Sequence, residues 1–300
     1  MLGRGVGERL AHDPQHMLFS PELVEITREA DLFVLNLECC ISARGEPVRG
    51  RTFHFRAPPV VTETLVRIGV DCVTLANNHA LDFGPDALLD TLAHLDAAGI
   101  RFVGAGKDSA GARAPLVLET GGFRLGVAGF SDHPSEYAAQ ANRPGIAYAE
   151  PGRLLPEWLT ELPDADAVLV TPHWGPNMTT EPPDFVRRAA QALVDAGATI
   201  VAGHSAHVFH GVAPHVLYDL GDFVDDYAVD PVLRNDLGLL VLVDLCDDRL
   251  EAIPLKLEYA HTRLATGDEA AWITRRFTEA CAALGTEVAE EGGRLIARWR

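Results

Sequence analysis

Hydrophobic and polar positions along the chain change between helical spacing and short apolar runs. Leucines recur at helical spacing within residues 86–98, and Gly99 follows where that helix would end. Ser20 and Pro21 predict another helix start, because serine caps helices and proline suits the first helical position. Helices are predicted at residues 20–30, 58–68, 86–98, 184–196 and 268–284.

Short apolar runs bounded by turn residues predict the strands. Two runs flank Gly121-Gly122 and two flank Asp247-Asp248, so each pair is predicted to form a hairpin. Strands are predicted at residues 32–37, 71–76, 115–119, 123–130, 167–171, 199–202, 239–245 and 250–257. This order of helices, strands and hairpins predicts an α/β layered fold with a mixed sheet.

The chain shows no internal repeat, low-complexity segment or linker, which favours a single domain over residues 1–300. Its core would span about residues 1–258, and a helical segment would occupy about residues 268–300. The hydrophobic content of 47% is sufficient to build a packed core in 300 residues.

Charge and cysteine content narrow the classes of partner and compartment. The chain has 25 basic and 43 acidic side chains, a net charge of −18, which argues against nucleic acid and anionic membranes as partners. Five cysteines, two of them adjacent at Cys39-Cys40, favour a reduced, cytoplasmic protein. No apolar run approaches the ~20 residues of a membrane span, so we expect no membrane segment in this chain.

Four predicted strands end in residues that can bind metal ions. These endings are Glu38, Asn77-Asn78-His79, His173 and the pair His204 and His207. The carboxyl ends of strands in α/β sheets open on the ligand-binding crevice, so these side chains are expected to converge. Carboxylate, amide and imidazole ligands suit Mn²⁺, Zn²⁺ or Fe²⁺, and the lack of thiolate pairs favours a site with an open position over a structural zinc site.

Each ending also has a purely structural interpretation. Glu38 could cap a helix or lie on the surface, Asn77 and Asn78 could form an ordinary turn, and His173 could be a buried structural histidine. The His204 and His207 ending is the hardest to explain without a ligand, because few structural roles call for an apolar strand that leads into glycine and two histidines.

Several sequence blocks together resemble the CapA-type poly-gamma-glutamate (capsule) synthesis family, a branch of the calcineurin-like metallophosphoesterases. The resemblance implies a four-layer αββα sandwich with one or two divalent ions at the strand ends. The blocks that carry it run in order along the chain and comprise Asn36-Leu37-Glu38, residues 76–84, His173-Trp174-Gly175, residues 197–207 and residues 218–223.

The resemblance also implies roles for single residues. Glu38 would bridge two metal ions, Asn78, His173 and His204 would complete one ion's shell, and His207 would bind the other ion. His79 matches the family's proton-transferring histidine. Candidates for substrate binding are Arg4, which would face an anionic group, Asn36 and Trp174.

The sequence departs from the family pattern at its start. The family's first strand ends in a metal-binding Gly-Asp just before a segment that resembles residues 1–5, and this sequence begins after that point. Either the start codon was assigned late, or the fold lacks the first strand. In the second case one sheet edge would lack its partner, and Glu38 and His207 alone would hold the second ion weakly.

Three functions remain open. The first is a metal-dependent hydrolase of the phosphoesterase type, with a small-molecule, peptide or anionic polymer substrate. The second is a metal-dependent peptide epimerase, for which His133 and His261 are candidate second bases. The third is a non-catalytic partner in polymer assembly, which would bind no metal.

Overall fold

The computed structural model describes residues 1–150 and 155–299, and the elements below refer to that part of the chain. Its α-helices are Arg4–His12 (α1), Pro21–Thr27 (α2), Val61–Arg67 (α3), Pro85–Ala97 (α4), Ser109–Arg113 (α5), Glu157–Thr160 (α6), Asp184–Asp195 (α7) and Gly267–Ala282 (α8). The side chain of Ser20 accepts a hydrogen bond from Leu23 N at the start of α2, as the predicted N-cap requires.

The strands follow the same chain order. They are Val34–Asn36 (β1), Cys40–Ile41 (β2), Arg56–Ala57 (β3), Cys72–Thr74 (β4), Arg101–Val103 (β5), Ala105–Gly106 (β6), Leu116–Thr120 (β7), Phe123–Ser131 (β8), Gly145–Ile146 (β9), Ala167–His173 (β10), Ile200–Ala202 (β11), Val212–Ala213 (β12), Val216–Leu217 (β13), Leu237–Asp244 (β14), Arg249–Glu258 (β15), His261–Leu264 (β16), Val288–Glu291 (β17) and Arg294–Arg298 (β18).

Three sheets carry most of these strands. The first sheet has the order β1-β4-β5 and is parallel throughout. The second has the order β12-β13-β11-β10-β8-β7, and β8, β10, β11 and β13 run parallel within it. The third is antiparallel, with the order β14-β15-β18-β17 and β16 beside β15. With the helices that cover them, these sheets form an α/β sandwich, which confirms the predicted fold class.

Apolar side chains pack between the first and second sheets. A cluster that includes Cys72 and Val103 of the first sheet and Val127 of the second joins these two sheets. The two sheets approach closely at Gly129, where an added Cβ would lie 2.7 Å from Thr74 Oγ1. The strand ends of both sheets are thereby held in one region of the molecule.

The main predicted helices and strands are present, but two terminal regions differ from the prediction. Residues 288–298 form the β17–β18 hairpin, so the predicted helical segment at residues 268–300 is correct only for α8. Helix α1 was not predicted from the sequence. The five cysteines, all in the described part of the chain, form no disulfide.

Candidate metal centre

The candidate ligands lie at the carboxyl ends of neighbouring parallel strands. Glu38 follows β1, and the Asn78-His79 turn follows β4, which pairs with β1. In the second sheet, His173 ends β10 and His204 follows the adjacent β11. The topology therefore brings together side chains that lie far apart in sequence, as the strand endings predicted.

His173 and His204 form the half of the site that the second sheet supplies. Their backbones form a parallel bridge, and their Nδ1 atoms lie 2.7 Å apart. Burial, followed by the charges of His207 and His133, lowers the pKa of His204 to about 3. Burial likewise lowers the pKa of His173 well below its usual value. Both imidazoles are therefore neutral near pH 7, which is the form that binds metals.

Glu38 and Asn78 form the half that the first sheet supplies. Asn36 donates a side-chain hydrogen bond to Glu38 Oε2 over 3.0 Å, so Asn36 orients this carboxylate. Asn77 fixes the following turn, since its amide donates to Leu37 O and to Asn36 Oδ1. These bonds place the candidate ligands Glu38 and Asn78 on adjacent segments.

Three candidate ligands each bury one polar atom that has no partner. Glu38 Oε1, Asn78 Oδ1 and His173 Nε2 have no hydrogen-bond partner among the described residues. Glu38 Oε1 lies 3.9 Å from His173 Nε2, which is too long for a hydrogen bond. It is a spacing that two ligands of one ion can adopt, each about 2.0–2.2 Å from the metal. A divalent cation therefore fits these residues, because it would satisfy acceptors that are costly to leave unpaired.

Acidic, imidazole and thiolate side chains do not by themselves form a metal site in the described part of the chain. Over residues 1–150 and 155–299, no three such side chains are arranged as a metal-binding group. The amide oxygen of Asn78 is outside that chemical set, and the Nδ1 atoms of His173 and His204 face each other. Metal binding at this junction is for these reasons a proposal.

His207 lies in a different environment from the other two histidines. Its backbone is left-handed, with φ 59°, and its Nδ1 lies 2.9 Å from Asp222 Oδ1. Burial acts to lower the pKa of His207, but the Asp222 carboxylate outweighs burial and raises this pKa to about 10. His207 is therefore protonated near pH 7, so an ion would have to displace that proton, and its role as a ligand of a second ion stays a prediction. Sequence reasoning did not select Asp222, although it lies in the resembling block at residues 218–223.

His79 is held by a buried carboxylate. Its Nδ1 lies 2.6 Å from Asp82 Oδ2, and its ring packs edge-on against Phe55. Asp82 also accepts a hydrogen bond from Phe55 N, so its own position is fixed. A histidine oriented in this way can transfer a proton through its other ring nitrogen.

Of the two predicted second bases, the structure brings one to the site. The His133 ring lies 5.1 Å from the His173 ring, and the His133 Nδ1 atom bonds to Asp132, which also accepts from Gly175 N. The Nδ1 atom of His261 lies 2.8 Å from the carbonyl of Met17, and the role of His261 as a second base stays a prediction.

The predicted substrate-binding residues Arg4 and Trp174 differ in their exposure to solvent. The guanidinium of Arg4 lies over the aromatic rings of Phe53 and Phe55, and its Nε lies 3.4 Å from Asp226 Oδ2. The side chain is 35% exposed, and its role in binding an anionic group stays a prediction. Trp174 is 4% exposed and packs in the core against Phe130. We therefore do not retain Trp174 as a substrate-binding residue.

Arg51 is a site residue that the sequence did not reveal. Its Nη1 donates to Asn78 O over 2.8 Å, and its guanidinium lies 4.4 Å from the Tyr137 ring centre. Arg51 lies in the polar segment at residues 42–52, which has no periodic pattern that would distinguish one arginine from another.

No helix in the described part of the chain is both long and apolar enough to cross a membrane.

Comparison with known proteins gives the family. The family model for bacterial capsule synthesis protein PGA_cap matches residues 1–227. The chain belongs to this family, which confirms the resemblance found in the sequence.

Curated relatives support the same assignment. A probable polyglutamine synthesis accessory protein of Mycobacterium tuberculosis is 32% identical over 282 residues, which cover 82% of this chain and 73% of the relative. The PGA biosynthesis protein CapA of Bacillus subtilis is 31% identical over 182 residues, covering 59% of this chain and 48% of CapA. The matched part is thus about half the length of CapA.

Solved structures show more distant similarity. A hypothetical protein from Thermus thermophilus aligns with 80% of this chain and 87% of its own, at 20% identity and a TM-score of 0.43. A putative 5'-nucleotidase from Staphylococcus aureus aligns with 76% of this chain and 44% of its own, at 15% identity and a TM-score of 0.35.

Proposed function

We propose that this protein is a metal-dependent hydrolase of the phosphoesterase type that acts in the synthesis of poly-gamma-glutamate or a related capsule polymer. The observation that supports the proposal is that three buried ligand atoms, Glu38 Oε1, Asn78 Oδ1 and His173 Nε2, have no hydrogen-bond partner among the described residues. The names of the Mycobacterium and Bacillus relatives supply the polymer context.

The residues of the site would have different chemical roles. Glu38, Asn78, His173 and His204 would hold a divalent cation such as Mn²⁺, Zn²⁺ or Fe²⁺, and His207 would hold a second ion if one binds. When bound, such a cation supplies Lewis acidity, which favours attack on a phosphoryl or carbonyl group near neutral pH.

His79 and Arg4 would act on the reacting molecule itself. The Asp82 carboxylate fixes His79 at Nδ1, which leaves Nε2 to accept or donate a proton. The partly exposed guanidinium of Arg4 would orient an anionic substrate group.

A direct assay separates hydrolysis from metal binding. We expect the protein to cleave bis(p-nitrophenyl) phosphate with Mn²⁺ present and to lose this activity in EDTA. His79→Ala should lower the rate by at least ~100-fold while the bound metal is retained, because removal of a proton-transfer group costs about that factor. His12→Ala, at an exposed histidine, is the matched control. An unchanged rate in His79→Ala would contradict the role of His79, and loss of the metal would contradict the division of roles.

Peptide epimerisation is the second candidate, and the position of His133 favours it. Its side chain is 34% exposed and lies beside the His173 ring, so it could act as a second base. Incubation of a glutamate-containing peptide with the Mn²⁺-treated protein in heavy water tests this. Deuterium at an α-carbon without cleavage, lost in His133→Ala, would favour the epimerase over the hydrolase.

A further inference from the structure

The loop between β11 and β12 has an unusual backbone at Ser205, which lies between the candidate ligands His204 and His207. The φ angle of Ser205 is 136°. The other non-glycine residues with positive φ in the described part of the chain have values between 47° and 64°, at or near the small left-handed region that L-residues can enter. A φ of 136° lies outside that region, and glycine is the usual residue there. Ser205 therefore adopts a strained backbone conformation.

Three hydrogen bonds fix this loop against its neighbours. The hydroxyl of Ser205 donates to Gly175 O over 3.1 Å. At the next residue, Ala206 N donates to Asp219 Oδ2 over 2.7 Å, and Ala206 O accepts from Met178 N over 2.8 Å. Ser205 and Ala206 are both buried, so the loss of any of these bonds would leave a polar group unpaired away from water. The surroundings thus hold the backbone in a conformation that serine itself does not favour.

These bonds connect segments that follow three adjacent strands. Gly175 and Met178 belong to the segment after β10, and Ser205 and Ala206 belong to the segment after β11. Asp219 lies two residues after β13. Because β11 lies between β10 and β13 in the second sheet, the loop is held by residues from both of its neighbours.

The strained conformation affects the direction of two candidate ligands. Side chains three residues apart in a regular strand lie on opposite faces of the sheet, so His204 and His207 would point apart if the strand continued. The positive φ angles at Ser205 and His207 interrupt the strand geometry, and both imidazoles line the same cavity as Glu38. The backbone at Ser205 thus allows one short segment to supply two candidate ligands to one site.

We infer that Ser205 is a positioning residue for the candidate metal centre. The hydrogen bond from its hydroxyl to Gly175 O maintains the strained backbone that directs His204 and His207 into the site. Glycine would adopt this φ without strain, but it has no hydroxyl that could fix the loop. Serine therefore gives a less relaxed loop with a defined geometry, which preorganised ligands require. The inference rests on the proposed metal centre for its functional meaning, and Ser205 acts through the two histidines.

Thermal unfolding of the whole protein in EDTA tests the strain. Ser205→Ala and Ser205→Gly both remove the hydroxyl, but only glycine relaxes the backbone at this φ. Ser205→Gly should therefore unfold about 2 °C above Ser205→Ala. Ser109, the first residue of α5, is the control position because its backbone is helical. There the order should be reversed, with Ser109→Gly unfolding below Ser109→Ala, since glycine destabilises a helix.

A second readout concerns the positions of the histidines. The Nδ1 atom of His207 lies 2.9 Å from Asp222 Oδ1, so its proton should give a separate NMR signal in EDTA. In both Ser205 variants this proton should exchange with water at least tenfold faster than in wild type. Both variants should also bind Mn²⁺ about tenfold more weakly by calorimetry, as expected when a group that orients a ligand is lost. Ser205→Gly would then lose affinity although it is the more stable of the two variants, which a purely structural role does not predict.

Two results would overturn the inference. If Ser205→Gly unfolds below Ser205→Ala, as expected at Ser109, the backbone at Ser205 is not strained. If the exchange of the His207 proton and the Mn²⁺ affinity match wild type in both variants, Ser205 does not position the histidines. A wild-type protein that binds no Mn²⁺ would overturn the proposed function instead, and the exchange rate of the His207 proton in EDTA would still test whether Ser205 positions that side chain.

Discussion

The two halves of the candidate metal centre are built differently. His173 ends β10 and His204 follows β11, and both are interior strands of the second sheet with neighbours on both sides. Glu38 follows β1, which has β4 as its one strand neighbour in the described part of the chain. The imidazole half is therefore fixed by sheet pairing and close packing, whereas the oxygen half depends on side-chain hydrogen bonds and an arginine.

The largest effect is expected from the imidazole half. His173→Ala and His204→Ala should each abolish metal binding while the fold is kept, because each removes a neutral imidazole from a paired strand. Metal analysis and circular dichroism measure the two properties, with exposed His12→Ala as the control. Metal retained in both variants would show that the imidazoles are structural.

The close packing behind His204 can be tested at Gly203. A Cβ at Gly203 would lie 2.4 Å from Trp174 Nε1 and 2.5 Å from Tyr218 O. Gly203→Ala should lower the free energy of unfolding by about 3 kcal/mol, as overpacking does in a tight core. Gly111→Ala in α5 is the control, because its Cβ would meet no atom closer than 3.5 Å. Urea unfolding of both variants measures the difference, and equal stability would contradict this account of the packing.

In the half of the site that contains Glu38 and Asn78, Arg51 should affect metal affinity, because it donates a hydrogen bond to the Asn78 carbonyl and so orients that ligand. Arg51→Ala should weaken Mn²⁺ binding by about tenfold, the lower end of the effect of losing a group that orients a ligand. Calorimetry measures the affinity, with Arg49→Ala, an exposed arginine of the same loop, as the control. Equal affinities in the two variants would show that Asn78 is positioned without Arg51.

The smallest effect is expected at a buried carboxylate in the third sheet. Asp236 precedes β14, accepts a hydrogen bond from Arg234 over 2.7 Å and pairs with Lys256 of β15. Burial acts to raise the pKa of Asp236, but the two cations outweigh burial and lower this pKa from its usual value of 3.8. The carboxylate therefore stabilises the fold above pH 3.8, and this stability is lost as the pH falls through the lowered pKa.

Asp236→Asn should thus lower the free energy of unfolding at pH 7 by about 1 kcal/mol or less and flatten its decline in acid. The control is Asp164→Asn, at a fully exposed side chain. Thermal unfolding between pH 3 and 7 tests this, and parallel pH profiles for wild type and Asp236→Asn would contradict it.

The strands and the candidate ligands at their ends were predictable, because both depend on the local sequence pattern. Apolar runs that end in Glu38, Asn78, His173 and His204 defined both the sheets and the candidate ligands, because strand order makes those ends converge.

Features set by distant contacts were not predictable. Helix α1 contains Gly5 and Gly7, which disfavour a helix, and packing around both glycines compensates. Strand β17 is mostly exposed and polar, so it has no apolar alternation before the turn at Gly292-Gly293. The role of Arg51 depends on a contact 27 residues away.

The most direct test is the metal content of the purified protein. After growth with added manganese, zinc and iron, mass spectrometry should find at least one divalent ion per chain, and His204→Ala should carry none. A wild-type chain that is free of metal and gains no thermal stability from Mn²⁺ would contradict the metal centre.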